Sequence, residues 1–455
     1  MKKRPFLFIA LSFGLLWAPA AFAQQSLIYS QTQINSSPNP VGSGARAMGM
    51  GGAFIAIADD ATAASWNPGG LMQLERPEFS FVFNFQHRRK ELGFSVDRSM
   101  NGMNEVYRND LNYFSAAYPF MAFNKNMIVS LNYQRLYDFY DDLEFNENTK
   151  SLSSSGVFVN GKKKVDFRQT GALKALAPAY AIQLTPRLSV GATFNFWTDN
   201  LGYDNEWESR TVERAALSLH SMAFNRNTLL KTTSRYVKNE KNKDFEGFNM
   251  NFGFLWRITN MITLGGVVKT AFTGEVNRTT SVVSSSATDR SSPTRAVPKV
   301  TKENMEMHFP LSYGLGAAFR LSDELSLALD VYRTDWSDYW VKSHGRKTSP
   351  ITGGKSSTTR IHDTTQVRAG GEYLFVFEKT IIPLRFGVFY DPEPATGHPD
   401  DFYGFSMGTG VSLGPVVLDC AYVYRFGRDV RGDMLAREKG KPTFDVDDHS
   451  IYISM

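Results

Sequence analysis

The stretch from Gly44 to Leu74, GARAMGMGGAFIAIADDATAASWNPGGLMQL, decides how the rest of the chain is read. Four glycines precede Phe54, alanines fill the middle, Asp59 and Asp60 stand together, and Asn67-Pro68-Gly69-Gly70 reads as a turn. Side chains this small let backbones approach closely, yet they offer no long apolar face around which a free-standing domain would fold. The stretch therefore reads as a filling, a plug for something larger. Gly49, Gly51 and Gly52 do not make a phosphate-cradling loop, which needs a strand before it, a helix opening after it, and either a later acid or a Lys-Ser/Thr pair.

What the plug fills follows it. From Glu78 onward apolar and polar residues alternate, the signature of strands that send successive side chains to opposite faces. Phe248, Met250, Phe252, Phe254, Trp256 and Ile258 fall on one side, against Asn249, Asn251, Gly253, Leu255 and Arg257. Leu188 to Phe196 repeats the pattern, and Met305, Met307, Phe309, Leu311, Tyr313, Leu315, Ala317 and Phe319 are assigned to one face of a further strand. Fourteen strands are expected, at 78–87, 111–120, 126–138, 172–184, 186–198, 245–258, 260–275, 304–321, 323–336, 361–377, 380–391, 401–413, 415–427 and 444–455. Short connections such as Phe123-Asn124-Lys125, Thr185-Pro186 and Gly414-Pro415 alternate with long ones, as in outer-membrane barrels with short periplasmic turns and long outer loops. An open sheet edge in lipid would leave backbone groups unpaired at several kcal/mol each, so the sheet must close. The expected fold is all-β: a 14-stranded antiparallel transmembrane β-barrel with its N-terminal segment in the lumen.

The remaining features agree. Lys2, Lys3 and Arg4, the apolar run Phe6 to Trp17 and Ala21-Phe22-Ala23 read as a signal peptide over residues 1–23, followed by an N-terminal extension and plug over 24–77 and the barrel over 78–455. No later run reaches the 18 or more apolar residues of a spanning helix. Aromatic residues make up 13% of the chain while its mean hydropathy is only -0.29, a pairing suited to greasy outer faces alternating with wet inner ones. Cys420 stands alone, which excludes an intramolecular disulfide. The net charge of +5 arises from 50 basic and 45 acidic residues spread along the chain, so no nucleic-acid patch is read.

Among the long connections, 199–244 contains WESRTVERAALSLHSM, read as an amphipathic helix, and the Ser/Thr-rich 276–303 is read as a solvated loop. Lys162, Lys163 and Lys164 form a loop tip open to two roles, solvation or contact with outer-leaflet phosphates. His308 and His362 are placed facing a polar lumen, and Asp400-Asp401 and Asp447-Asp448 at solvated strand ends. The seven histidines show no metal spacing, and no G-x-S-x-G nucleophile turn is present, so neither metal nor cofactor nor enzymatic activity is expected.

Three stretches carry a family resemblance. The plug with its Asn67-Pro68 turn, Phe309 to Trp340 with Trp336-Ser337, and Ile382 to Gly427 together resemble the FadL/TodX family of outer-membrane transporters for long-chain fatty acids and hydrocarbons. Gly69 stands where that family usually has alanine, the chain ends on Met455 in place of an aromatic residue, and Met127 to Leu136 has no Gly or Pro to kink a third strand toward a lateral exit. The resemblance implies passive uptake of a long-chain fatty acid or hydrocarbon through a monomeric barrel in outer-membrane lipid and lipopolysaccharide, with the plug acting as a hatch. The candidate hatch residues are Arg46, Phe54, Asp59, Asp60, Trp66, Asn67, Pro68 and Gly69. Arg46 has two readings, holding a carboxylate head or pairing with Asp59 or Asp60, and pairing is the one favoured; Phe54 and Trp66 are read as anchors. The hatch is also similar to that of PorV-like barrels, which dock secreted proteins, and that role is the alternative.

Overall fold

The computed structural model describes residues 42–93, 101–152, 157–199, 201–221, 228–289, 297–358, 360–430 and 443–455. The signal peptide and most of the polar leader expected before Ser43 lie outside them. Alternating sequence becomes strands β1 (Glu78–Gly93), β2 (Gly102–Ala122), β3 (Lys125–Asp138), β4 (Asp141–Leu152), β5 (Val157–Thr185), β6 (Leu188–Trp197) and β7 (Glu206–Ser221). The wall continues through β8 (Thr228–Arg257), β9 (Ile262–Lys269), β10 (Phe272–Thr288), β11 (Lys299–Phe309), β12 (Ser312–Arg320), β13 (Leu325–Thr334) and β14 (Trp340–Ser343). It ends with β15 (Arg346–Thr348), β16 (Thr364–Val376), β17 (Ile381–Tyr390), β18 (Phe402–Leu413), β19 (Val416–Val430) and β20 (Thr443–Ser454).

These segments make fourteen staves, because β3 with β4, β6 with β7, β9 with β10, β11 with β12, β13 with β14, and β15 with β16 lie end to end against shared neighbours. Every pairing is antiparallel. The sheet closes where β1 meets β20, from Val82 opposite Ser454 to Gly93 opposite Thr443. At one end the connections are tight: Phe123 and Asn124 both take positive φ, 53° and 57°, which gives a two-residue turn whose twist matches the flanking strands.

The outer face is apolar. Phe248, Phe252 and Trp256 on β8, Leu327, Leu329 and Val331 on β13, and Leu384, Phe386 and Val388 on β17 are all exposed, while Asn249, Asn251 and Asp330 are buried inside. Exposed apolar area on this scale marks a membrane-facing surface. β3 pairs with β5 at every residue from Met127 to Arg135 and shifts register only between Arg135 and Tyr137.

Several expectations need correction. The staves run far past the membrane: β5 has 29 residues and β8 has 30. The described part of WESRTVERAALSLHSM, through Ser221, is accordingly strand β7, not a helix, because its period-2 pattern is paired on both sides, with β5 and with β8. The described part of the Ser/Thr-rich loop is taken up by β10 and β11 except for Asp289, Val297 and Pro298. Lys162, Lys163 and Lys164 lie within β5 and not at a loop tip. The single face assigned from Met305 to Phe319 is also wrong: Met305, Met307 and Phe309 point inward, whereas Tyr313, Leu315 and Phe319 point out. Pro310 and Leu311 lie between β11 and β12, and the extra residue reverses the alternation as a bulge does. Comparable reversals occur at Thr270-Ala271 and at Asp244, where φ is 56°, so a line of irregularities separates the membrane belt from the upper barrel on this side. His308 consequently stacks on Trp340 on the outer face, and His362 lies outside any strand against His398.

Phe252→Lys, at the middle of the β8 apolar band, is expected to destabilise the membrane-inserted barrel by about 2–4 kcal/mol. Lys241→Ala, above the band, should leave it unchanged. Denaturant unfolding in liposomes measures both, and equal effects would contradict the assigned height of the belt.

Candidate functional site

The small-residue stretch lies against the inner faces of the staves. It forms two short helices, Ala45–Gly49 and Ala63–Trp66, and a 3-10 helix, Pro68–Gln73. Its core is fully buried: Met50, Phe54, Ile55, Ala58, Trp66 and Leu71 pack with Ala117, Ile128, Ala179, Ala181, Val267, Ala328 and Tyr332 of the wall. Such contact requires a wall without side chains at particular points. A Cβ on Gly253 would meet the Asn67 amide oxygen, one on Gly387 would meet the Gly51 backbone, and Gly191, Gly265, Gly316 and Gly370 face the plug in the same way.

Polar anchors fix the register. Asp330, buried in β13, accepts hydrogen bonds from Phe54 N at 2.7 Å and Ile55 N at 2.8 Å. Ser406 Oγ donates to Gly49 O and accepts from Gly51 N, Thr193 Oγ1 donates to Ala64 O, and Ser189 Oγ donates to Gly69 O. A charged chain runs from plug to wall: Arg46 pairs with Asp59 at 2.6 Å and with Glu372 at 2.8 Å, and Arg385 joins Glu372 to Asp419 at 2.6 Å each.

The sequence-selected residues thus come together with distinct tasks. Arg46 contacts Asp59, while Asp60 instead caps its own turn, accepting from Thr62 N and Thr62 Oγ1. Burial pushes the Asp60 carboxyl up from its ordinary value, against the pull of Arg46 and Thr62. Phe54 meets Trp66 edge-on at 5.9 Å, and Trp66 donates its indole N–H to Ser43 O at 2.6 Å. Asn67 donates to Ile55 O within the plug and to Phe254 O on β8, both at 2.8 Å, and its oxygen accepts from Gly69 N. Pro68 opens the 3-10 helix, where its missing N–H costs nothing. The wall partners Asp330, Glu372, Arg385 and Ser406 were not singled out from sequence; their signal is a polar side chain at an inward position of an otherwise apolar strand, as in LSLALDVYR.

Above the plug the lumen is charged on one side. Arg88 pairs with Asp448, Arg425 with Asp391, Glu393 and Asp448, and Arg108 and Arg135 with Asp110 and Asp138. Asp448 is therefore a buried lumen residue and not the solvated strand-end residue expected, because its inward register at the β19–β20 pair places it between two arginines. These groups and the plug enclose a cavity of about 130 Å³. Higher still, the interior turns apolar: Phe139, Trp197, Trp207, Phe245, Phe272 and Phe309 form a continuous cluster with Met305, Met307, Trp336 and Tyr339. Trp197 stacks on Phe272 at 5.5 Å and Phe272 on Phe309 at 4.9 Å. Among the described residues no His, Cys, Asp and Glu cluster is arranged to hold a metal.

Gly253→Val, which pushes a side chain into Asn67, and Arg46→Ala, which strands Glu372 between fewer cations, are each expected to loosen the plug without opening the barrel. Losing one partner of such a partly buried pair costs up to about 3 kcal/mol. Limited proteolysis should cut between Gly44 and Leu74 faster in both variants while heat-modifiable migration persists; an unchanged cutting rate would refute the anchoring roles.

Among solved structures, a Pseudomonas aeruginosa FadL homologue is similar at 14% identity and TM-score 0.55, covering 91% of this chain and 98% of its own. The Pseudomonas putida toluene transporter TodX is similar at 12% identity and TM-score 0.52, covering 91% and 99%. At these identities the likeness shows the barrel fold alone. A search of curated proteins finds no match. The family model described as "Outer membrane protein transport protein (OMPP1/FadL/TodX)" matches residues 35–451, nearly the whole chain, and with the closed barrel around its small-residue plug this chain belongs to that family of bacterial outer-membrane transport proteins.

Proposed function

We propose that this chain admits a long-chain fatty acid or another hydrophobic compound, such as an aromatic hydrocarbon, passively through the barrel, with the segment around Asn67 as its hatch. The observation that carries this reading is the apolar upper lumen. Barrel interiors are ordinarily polar, yet here Trp197, Phe245, Phe272 and Phe309 line the inside above the plug. Burying a hydrocarbon tail there gains roughly 25 cal/mol per Å² removed from water. The ligand then meets the arginine and carboxylate layer and the hatch below it. Asn67 is the natural latch, since one amide joins the plug's own backbone to the carbonyl of Phe254 in the wall.

Transport of this kind needs no reacting group, and the protein acts as a monomeric conduit without catalysis. The TodX likeness favours small hydrocarbons as the cargo to test beside fatty acids, because that neighbour is described as a toluene transporter. A docking role like that of PorV-like barrels draws no support from the comparisons.

Replacing Asn67 and Pro68 together by alanine is expected to change uptake of a labelled long-chain fatty acid or of toluene severalfold while the barrel stays in the outer membrane. Phe272→Asn with Phe309→Asn should lower uptake by at least about tenfold, the factor set by losing roughly 1.4 kcal/mol of ligand binding. Whole-cell uptake, with mass spectrometry of ligand extracted from the purified protein, reads both. Unchanged uptake in both variants, with no hydrophobic molecule extracted, would remove the proposal.

A further inference from the structure

The upper staves carry a second feature on their outer surface that transport does not use. Lys164 on β5 lies directly opposite Arg214 on β7, Arg214 opposite Arg235 on β8, and Arg235 opposite Ser285 on β10. On the other flank Asn146 of β4 faces Lys164, and Asn148 faces Lys162 one step higher. These residues line one cleft of about 740 Å³. The cleft is on the outside, since the alternate residues Val165, Phe167, Leu217 and Leu219 are buried while Lys162, Lys164, Arg214 and Arg235 are exposed.

Like charges directly opposite one another, with Cβ atoms about 5 Å apart, destabilise a strand pair. Here two such pairs lie side by side. Lys163, on the other face, turns away to Glu147 at 2.5 Å. Lys164 reaches Glu144 at 2.5 Å, whereas Lys162, Arg214 and Arg235 have no acidic partner among the described residues. The row is thus set for an external anion, and the amides and hydroxyls beside it suit the hydroxyls of a sugar.

Height narrows the source. Arg235 is thirteen residues beyond Phe248, the upper edge of the exposed aromatic band on β8. At about 3.4 Å per residue and a tilt near 40° that places the row roughly 30 Å above the hydrocarbon belt, beyond phospholipid headgroups. We propose that the Lys162, Lys164, Arg214 and Arg235 row binds the phosphorylated core saccharide of outer-leaflet lipopolysaccharide.

The test uses the full barrel in detergent, with lipopolysaccharide of phosphorylated core, the same material dephosphorylated, and inorganic phosphate as probes. Binding is read by thermophoresis, with heat-modifiable migration as the folding control. The wild type should bind the phosphorylated material at least about tenfold more tightly than the dephosphorylated, the factor expected for loss of one charge-assisted contact. Arg214→Gln with Arg235→Gln should weaken binding by a similar factor, and the paired Lys replacements should largely restore it. Single Lys162→Gln and Arg235→Gln variants carry the same test should the double variant fail to assemble. Equal affinity for the dephosphorylated material, equal affinity of the Gln variants, or displacement by inorganic phosphate at matching concentration would each overturn the proposal.

Discussion

The pairing of β1 with β20 is the constraint on which the molecule depends. In lipid a strand edge has no water to satisfy its N–H and C=O groups, so a sheet that faces hydrocarbon must meet itself. Twelve consecutive residue pairs, from Val82 with Ser454 to Gly93 with Thr443, make that closure. Fourteen staves then leave an interior too wide for wall side chains alone to fill. The N-terminal stretch occupies the lower part of that space.

How it does so explains its composition. Glycines on the plug and glycines on the wall meet backbone to backbone, as at Gly51 with Gly387, and a few polar groups bridge the two. Asp330 receives two plug amides, and Glu372 stands between Arg46 of the plug and Arg385 of the wall. The plug is held by dispersion contacts and a set of side-chain hydrogen bonds, whereas the wall is held by its own backbone ladder.

The path changes character along its length. Aromatic rings line the outer end, paired arginines and acids lie below them, and the plug fills the bottom. On the outside, by contrast, the membrane belt gives way to a basic row high on β5, β7 and β8. The bulges near Asp244, Thr270 and Pro310 separate these regions, because each reverses which side chains face in and lets the upper staves pattern their faces independently of the belt.

Period-2 alternation, short turns alternating with long connections, and the need to close in lipid made the fourteen staves, their antiparallel order and the membrane belt legible from sequence alone. The plug was legible too, through its small residues and the Asn67-Pro68 turn. What tertiary structure alone decided is which polar residues answer one another across hundreds of positions. Arg46 finding Glu372, Asp330 receiving the amides of Phe54 and Ile55, and Asp448 lying between Arg88 and Arg425 depend on stave register around a closed wall, which local pattern does not encode. The same holds for the connections read as loops or helix: their polar composition hides the strand pattern, and pairing on both sides draws Glu206–Ser221 and the Ser/Thr-rich β10 into the sheet. A single inserted residue at Pro310 reverses a face, and no hydrophobic count made along one strand can place it.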